Sequence, residues 1–276
     1  MPIDFNQQVI DEFRANAGQV GGPFEGARLI LLTTTGARSG ARHTTPLGYL
    51  PDGGERILVI ASAGGAPRHP AWYHNLVADP AVTVEDGLFT YEATATVLTG
   101  EERDQVFARA AEADPGWAAY QAKTTRVLPV VALRQTVPGP PAGASWGETL
   151  KRIHDAFRRE LALIRKEVAE SGPGIGAQLR VNCLTFCAGL HYHHTGEDNG
   201  MFAALGRRDP GLLPTLDRLH REHEKIAVIA GELRGLVTTP GGDPSLVLAE
   251  VDRLVAELEA HLAYEEEQLI PVLDAP

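Results

Sequence analysis

The stretch Val137-Pro138-Gly139-Pro140-Pro141-Ala142-Gly143-Ala144 decides how this chain is organised. Proline and glycine dominate it, and such a segment can neither extend a helix nor fill a central strand. We therefore predict a Pro/Gly linker over residues 137–147, an N-terminal domain over 1–136 and a C-terminal domain over 148–276. A length of 276 residues agrees with two domains.

The residues after the linker predict helices. Ser145-x-x-Glu148 has the form of a capping box, which marks a helix start. Helix-length segments then alternate with short breaks rich in glycine and proline, at about 148–170, 176–205, 210–237 and 243–270. Because short connections make neighbouring helices antiparallel, we predict an all-α four-helix bundle.

The residues before the linker predict short strands. Apolar runs bounded by glycine turns indicate strands at about 28–34, 44–50, 56–61, 82–84 and 128–133. Helical patterns near 5–15, 71–77 and 101–113 frame them. Strands in close succession, mostly joined by loops, favour an antiparallel β-barrel with flanking helices, so this half is an α+β domain.

Composition limits the partners of the chain. The net charge of −11 repels phosphate backbones, and no basic stripe offsets it, so nucleic acid is excluded. The sequence shows neither a membrane span nor a secretory signal, so we expect a cytoplasmic protein that acts on small molecules. A homodimer is compatible with the sequence. Cys183 and Cys187 lie four apart in a predicted helix, which favours apolar packing over redox chemistry.

Histidine is concentrated in the second half, which holds seven of the ten. Two segments share one pattern: His193-x-x-x-Glu197 precedes Met201-Phe202, and His261-x-x-x-Glu265 precedes Leu269-Ile270. Residues four apart lie on one helix face, so each pair can reach one metal centre. A single such pair is often a solvated surface pair, but two in matched register point to a metal site.

One imidazole from each remaining helix completes the predicted site, namely His154 and His223. Four imidazoles with two bridging carboxylates suit two iron ions, or manganese or zinc, and leave positions open for a small ligand. We expect second-shell or surface roles for the neighbouring histidines and solvated positions for the neighbouring carboxylates: His191, His194, His220, Asp198 and Glu266.

This half resembles the hemerythrin-like (HHE) family in its order of ligands across residues 148–273. The resemblance implies a non-haem di-iron centre that meets dioxygen, nitric oxide or peroxide. One departure is that His220-Arg221-Glu222-His223 spaces its histidines by three, where oxygen-carrying hemerythrins have His-x-x-x-His. The altered ligand set argues against reversible oxygen carriage, although His220 could still be a fifth ligand.

Two glycine-containing segments stand out in the first half. Thr34-Thr35-Gly36-Ala37-Arg38-Ser39-Gly40 follows a predicted strand, and its backbone N–H groups and arginine suit a phosphate or carboxylate. Ala61-Ser62-Ala63-Gly64-Gly65 follows another strand and leads to Pro70-Ala71-Trp72-Tyr73, which suits a flat ring with an anionic tail. A plain hairpin turn and ordinary core packing are the alternatives.

Together with Thr45-Pro46-Leu47 and Leu128-Pro129-Val130-Val131, these segments resemble the deazaflavin-dependent nitroreductase family over about residues 27–134. The resemblance implies a split β-barrel of the flavin-binding kind. It also implies binding of coenzyme F-420, an 8-hydroxy-5-deazaflavin with a phosphate and polyglutamate tail, as a hydride donor.

The family's site residues can be carried over by position. Those on the phosphate and tail would be Arg38, Ser39, Gly40, Ser62, Gly64 and Gly65, and those lining the ring would be Pro70, Ala71 and Trp72. Ala63 stands where nitroreducing members have a lysine, and Arg42 or Arg68 could replace that cation. Tyr120 is the candidate donor beside the substrate, and we assign catalytic roles to Tyr120 and Ser62.

The fusion suggests a two-cofactor oxidoreductase. Reduced deazaflavin would supply electrons to a di-iron centre that reduces, activates or senses dioxygen, nitric oxide or peroxide. The alternative is an independent deazaflavin-dependent reductase of a quinone or other organic acceptor, with the bundle as a gas, iron or redox sensor. Binding of the deazaflavin without catalysis is a third option.

Overall fold

A computed structural model of the chain describes residues 5–54, 56–137, 145–172, 174–239 and 243–275. The chain divides into two compact units, Met1–Ala142 and Gly143–Pro276. Most of the predicted Pro/Gly linker lies outside the described residues, so its extent stays a prediction.

The first unit is a closed antiparallel barrel with the strand order β1-β2-β3-β6-β5-β4. This confirms the predicted α+β fold. In chain order, its elements are α1 Phe5–Ala15, β1 Leu29–Thr35, β2 Arg42–Pro51, β3 Arg56–Ile60, α2 Ala71–Ala78, β4 Ala81–Glu85, β5 Thr90–Val97, α3 Gly100–Ala113, α4 Pro115–Ala122 and β6 Val130–Val137.

Strand β1 is buried on both faces, which explains its continuous apolar sequence. Ile30 and Leu32 pack into the barrel interior, whereas Leu29 and Leu31 pack outward against α1. Strand β5 was missed in the sequence because its inward residues, Ala93 and Ala95, are small. Alanine gives a weak apolar alternation and has a low strand preference.

The second unit is the predicted helical bundle. Ser145 caps its first helix, because the Ser145 Oγ accepts a hydrogen bond from the Glu148 N–H at 3.0 Å. The helices are α5 Trp146–Glu170, α6 Ala177–Gly196, α7 Phe202–Arg208, α8 Leu213–Thr238 and α9 Pro244–Leu273. Cys183 and Cys187 are buried in the core between them, as their spacing predicted.

One turn of π-helix, Glu197–Met201, separates α6 from α7. In it the Phe202 N–H bonds to the Glu197 carbonyl, five residues back instead of four. The buried residue after the carboxylate is therefore Phe202, five positions on, whereas in α9 it is Leu269, four positions after Glu265. The matched register that we predicted between the two segments holds from histidine to glutamate and fails beyond it.

Within the described ranges, every helix is too short or too polar to cross a membrane.

Candidate metal centre and deazaflavin site

The six residues predicted to bind metal converge among the helices of the bundle. His154 comes from α5, His193 from α6, Glu197 from the π-helical turn, His223 from α8, and His261 with Glu265 from α9. Potential ligand atoms of His154, His193, Glu197 and Glu265 all lie within 4.8 Å of one another. The six side chains that the sequence predicted to lie together, from four helix segments, are therefore found in one cluster.

Each carboxylate lies between imidazoles from different helices. Glu197 Oε1 is 3.2 Å from His193 Nε2, and its Oε2 is 3.5 Å from His223 Nε2. Glu265 Oε2 is 3.4 Å from His154 Nε2 and 3.6 Å from His261 Nε2. Each carboxylate is therefore within reach of imidazoles from two helix segments.

Three further carboxylates hold the imidazoles from outside. His154 Nδ1 donates to Glu266 Oε1 at 3.0 Å, and His261 Nδ1 donates to Glu222 Oε2 at 3.1 Å. His223 Nδ1 donates to Asp198 Oδ1 at 2.9 Å. Our prediction that Asp198 and Glu266 are solvated is therefore wrong, because both carboxylates turn inward to these rings.

These outer bonds direct the lone pairs toward the cluster. An ionised carboxylate only accepts, so we assign the hydrogen to Nδ1 in His223 and His261, which leaves Nε2 bare in each neutral ring. Those two Nε2 atoms face each other at 3.1 Å. Two lone pairs at that distance repel, whereas two nitrogens about 2.1 Å from one ion at a right angle would be about 3.0 Å apart. The donor set thus fits a cation.

The buried carboxylates indicate the same need for positive charge. Both oxygens of Glu197 and both of Glu265 are buried without a hydrogen-bond partner among the described residues. Burial and the nearby Glu265 raise the pKa of Glu197 well above its usual value. A bound cation would remove both penalties.

The histidine pKa values follow burial and neighbouring charge. Burial, then the neighbouring His154, lowers the pKa of His193 to about 3, so its ring is neutral as a ligand must be. Burial also lowers the pKa of His154, but the neighbouring carboxylates of Glu265 and Glu266 more than offset this and raise it overall. Burial acts to raise the pKa of Glu266, yet bonds from His154 and Arg158 bring it to about 2.

The structure separates the three histidines that we expected outside the ligand set. His191 is exposed. His220 is also exposed, and its Nδ1 lies 3.1 Å from Asp198 Oδ1. His194, in contrast, is 5% exposed and groups with His223 and His261 within 4.8 Å. Its position next to His193 concealed it in the sequence, since adjacent residues point about 100° apart on a helix.

The deazaflavin site predicted in the barrel begins at the turn after β1. Arg38, Ser39 and Gly40 are exposed there, and Gly40 has a φ of +66° with open space beside its Cα. Buried Asn75 of α2 holds the turn, because its Oδ1 accepts from the Ala37 N–H at 3.1 Å and its Nδ2 donates to Thr34 Oγ1. Sequence reasoning missed Asn75, which lies 38 residues from the turn.

The second predicted segment, after β3, is a tight turn at Ala63–Gly65 in which the backbone has positive φ angles. Ser62 has right-handed dihedrals and the next three residues have positive φ, a combination that turns backbone N–H groups toward an anion. Gly64 has open space beside its Cα. Gly65 packs against α4, where an added Cβ would meet the Tyr120 carbonyl at 2.7 Å. The turn can therefore pack this closely against the helix that carries Tyr120 only because residue 65 has no side chain.

Arg126 locks this turn from the far side, and sequence reasoning missed it. Its guanidinium donates to the carbonyls of Ser62 at 2.6 Å, Ala66 at 2.8 Å and Ala61 at 3.1 Å. It also lies 2.9 Å from His69 Nδ1. The turn therefore has its carbonyls tied to a cation.

The remaining predicted residues divide into exposed and core positions. Pro70 and Ala71 begin α2, and Ala71 is exposed. Trp72 is 6% exposed and packs in the barrel core, which is the alternative left open in the sequence. Tyr120 is half-buried against Trp117, with ring centroids 6.1 Å apart. Arg42 begins β2 and donates to Thr83 Oγ1.

Fold and sites together describe a closed antiparallel barrel with glycine-rich turns and a helical bundle with a cluster of buried imidazoles and carboxylates. The family model described as F420H(2)-dependent quinone reductase matches residues 6–135. The model described as hemerythrin HHE cation binding domain matches residues 147–273.

An F420H(2)-dependent quinone reductase of Mycobacterium tuberculosis is 37% identical over 125 residues, which are 44% of this chain and 83% of that protein. A solved structure of an F420-H2 dependent reductase, FDR-A, is 42% identical and the match covers 39% of this chain and 94% of that one, with a TM-score of 0.36. Another, described as a domain-swapped dimer, is 39% identical and covers 46% and 92%, with a TM-score of 0.38.

The chain belongs to the F420H(2)-dependent quinone reductase family through its N-terminal half, and residues 147–273 of its C-terminal half match the hemerythrin HHE cation binding domain. The predicted recognition of both halves is thus confirmed. Its relatives are deazaflavin-dependent oxidoreductases, as the sequence motifs predicted.

Proposed function

We propose that the barrel binds reduced coenzyme F-420 and reduces a quinone or similar organic acceptor, while the bundle holds two metal ions, with iron as the expected metal. The proposal for the bundle rests on one observation: buried imidazoles converge on two buried carboxylates whose oxygens have no hydrogen-bond partner among the described residues. The glycine turns and the relatives named as quinone reductases support it for the barrel.

In the barrel, the exposed backbone and Arg38 would bind the anionic tail, and Ser62, Gly64 and Gly65 would contact the phosphate. Pro70 and Ala71 would border the ring. The bound coenzyme supplies a hydride, and Tyr120 would donate a proton or hydrogen bond to the acceptor. Because Trp72 is buried in the core, its contribution would be to support the start of α2.

In the bundle, Glu197 and Glu265 would bridge two ions, and the imidazoles of His154, His193, His223 and His261 would bind them. Imidazole with carboxylate suits iron, which supplies a binding position for dioxygen, nitric oxide or peroxide. The chain's own part is to hold each ring in one tautomer through Glu266, Asp198 and Glu222.

Two measurements on the purified full chain test the proposal. Elemental analysis should give about two iron ions per chain after reconstitution. Titration with reduced coenzyme F-420 should show saturable binding, and adding a quinone should then oxidise the coenzyme. A chain without bound metal would refute the metal centre, and one without quinone-dependent oxidation would refute the reductase.

We infer that the two sites work independently, with the bundle as a sensor or binding module. The matched M. tuberculosis reductase leaves only 17% of its length outside the match, which is too little for a second domain of this kind. The second candidate is electron supply from the deazaflavin to the metal centre, which the covalent linkage favours by raising the effective concentration of one site near the other.

Replacing Glu197 and Glu265 together separates the two candidates. Independent sites predict that the variant loses metal and keeps its quinone turnover. Anaerobic mixing of the parent with the reduced coenzyme gives the converse test, since coupling predicts that the oxidised metal spectrum bleaches at the rate of turnover. A homodimer is also proposed, to be checked by analytical ultracentrifugation.

A further inference from the structure

His194 is the one histidine inside the cluster that the predicted ligand set does not include. Its ring stacks on that of His223, with centroids 4.0 Å apart and planes at 8°. It also lies 5.2 Å from the ring of His261. It is therefore placed among the imidazoles of α8 and α9.

One ring nitrogen of buried His194 has no partner among the described residues. His194 Nε2 is fully buried and makes no hydrogen bond to any described residue. An orphaned buried acceptor or donor is destabilising, so a ring that served only for packing would be better replaced by an apolar side chain. A metal ion in the cluster would supply the missing partner.

Other histidines fit a fifth position less well. His220 keeps 55% of its side chain exposed and bonds to Asp198 on the outer side of His223. His191 is exposed on α6. His193 is already in the predicted ligand set, and it lies beside His154: its Nε2 is 3.2 Å from Glu197 Oε1, and the two imidazole rings are 5.4 Å apart.

We propose that His194 is a fifth imidazole ligand, which joins His223 and His261 on one of the two metal ions. This assignment rests on the proposed metal centre. It divides the imidazoles unequally, three on the ion near α8 and α9 and two, His154 and His193, on the other. Glu197 and Glu265 would contribute to both ions, so the ion held by fewer imidazoles, those of His154 and His193, would be the one with room for a small ligand.

The test compares His194→Phe with two control variants in the full chain. Phenylalanine keeps a flat ring beside His223 and removes the nitrogen, so it separates ligation from packing. His191→Gln and His220→Gln are the controls. After reconstitution with iron and dialysis against a chelator, we expect about two ions per chain in the parent and both controls. We expect about one in His194→Phe, with affinity at the second position at least 10-fold weaker.

The spectrum gives a second readout that packing alone would not move. In the parent, ⁵⁷Fe Mössbauer spectra should resolve two iron environments of equal intensity, and His194→Phe should lose or shift only one of them. If His194→Phe is unstable, as judged by circular dichroism, His194→Gln serves as the second variant with the same expected loss.

Each outcome decides between separate claims. A parent with two ions and a His194→Phe variant with the same two ions and spectrum would overturn the assignment and leave the metal centre intact. Loss of one ion in His220→Gln, with His194→Phe unchanged, would place the fifth ligand at His220 instead. A parent that binds no iron would overturn both this assignment and the proposed metal centre.

Discussion

Buried side chains from four helix segments form the cluster of the bundle, whereas the turns after β1 and β3 of the barrel present mainly backbone N–H groups and one exposed arginine. The cluster is fixed by hydrogen bonds between its imidazoles and outer carboxylates. Asn75 holds the turn after β1, and positive φ angles with carbonyls bound to Arg126 fix the turn after β3. A site made of side chains can be recognised in a sequence, because it needs particular residue types at a particular spacing. A site made of backbone N–H groups needs only residues that allow the required φ and ψ angles, so its sequence pattern is weaker.

The largest effect is expected from a substitution in the side-chain cluster of the bundle. Glu265→Gln removes one of the two central carboxylates, whose oxygens have no hydrogen-bond partner among the described residues. Changes in outer partners of metal ligands typically cost 10–100-fold in affinity, so loss of a carboxylate proposed as a ligand should cost more than about 100-fold. Metal content after dialysis measures this. Exposed Glu267→Gln, two residues on, is the matched control and should keep its metal.

A second change tests whether the barrel site depends on backbone shape. Gly65→Ala places a Cβ 2.7 Å from the Tyr120 carbonyl at a φ of +84°, so we expect a loss of about 3 kcal/mol in the free energy of unfolding. Gly64→Ala has a similar φ but open space, and should cost about 1 kcal/mol. Denaturant unfolding followed by tryptophan fluorescence measures both. Equal losses would show that the close approach to α4 does not matter.

A third change loosens the same turn without altering its backbone. Arg126→Ala removes the side chain that donates hydrogen bonds to three carbonyls of this turn. Because the turn would then be held less firmly, we expect the affinity for reduced coenzyme F-420 to fall by about 10-fold. Fluorescence titration measures the affinity. Arg134→Ala removes an exposed cation of β6 as the control for net charge. If both variants weaken binding equally, the arginine acts only through its charge.

The smallest effect concerns the packing beneath the metal cluster. Burial raises the pKa of Cys187 to about 11. Below about pH 9 the thiol is protonated in both folded and unfolded chains. Between about pH 9 and 11 the unfolded chain loses this proton first, so the stability contributed by Cys187 falls as the pH rises. Thiol labelling at pH 8 should be slow in the folded chain and fast in denaturant; fast labelling in both would show an open core.

The sequence predicted most helices, most strands and six converging side chains, because each is encoded over a few neighbouring residues. It missed β5, whose inward alanines give little contrast. The candidate metal ligands were recognisable because helical periodicity links His193 to Glu197 and His261 to Glu265. The turns of the barrel were identified only through resemblance to a family.

Contacts between distant residues explain the other errors. Asp198, Glu222 and Glu266 orient rings on other helices, up to 112 residues away, so local pattern gave them no role. Arg126 reaches carbonyls 60 to 65 residues upstream. The burial of His194 among the other imidazoles was hidden for a different reason, because adjacent residues on a helix point about 100° apart.

The π-helical turn at Glu197–Met201 has a consequence for how such chains are compared. A turn closed five residues back holds one residue more than a regular turn, which is what a one-residue insertion into an α-helix would leave. An alignment that places Phe202 opposite Leu269 must therefore open a gap of one position after the glutamate. Deleting Asn199 or Gly200 would restore a regular helix and leave Phe202 four positions after the carboxylate, as Leu269 is in α9.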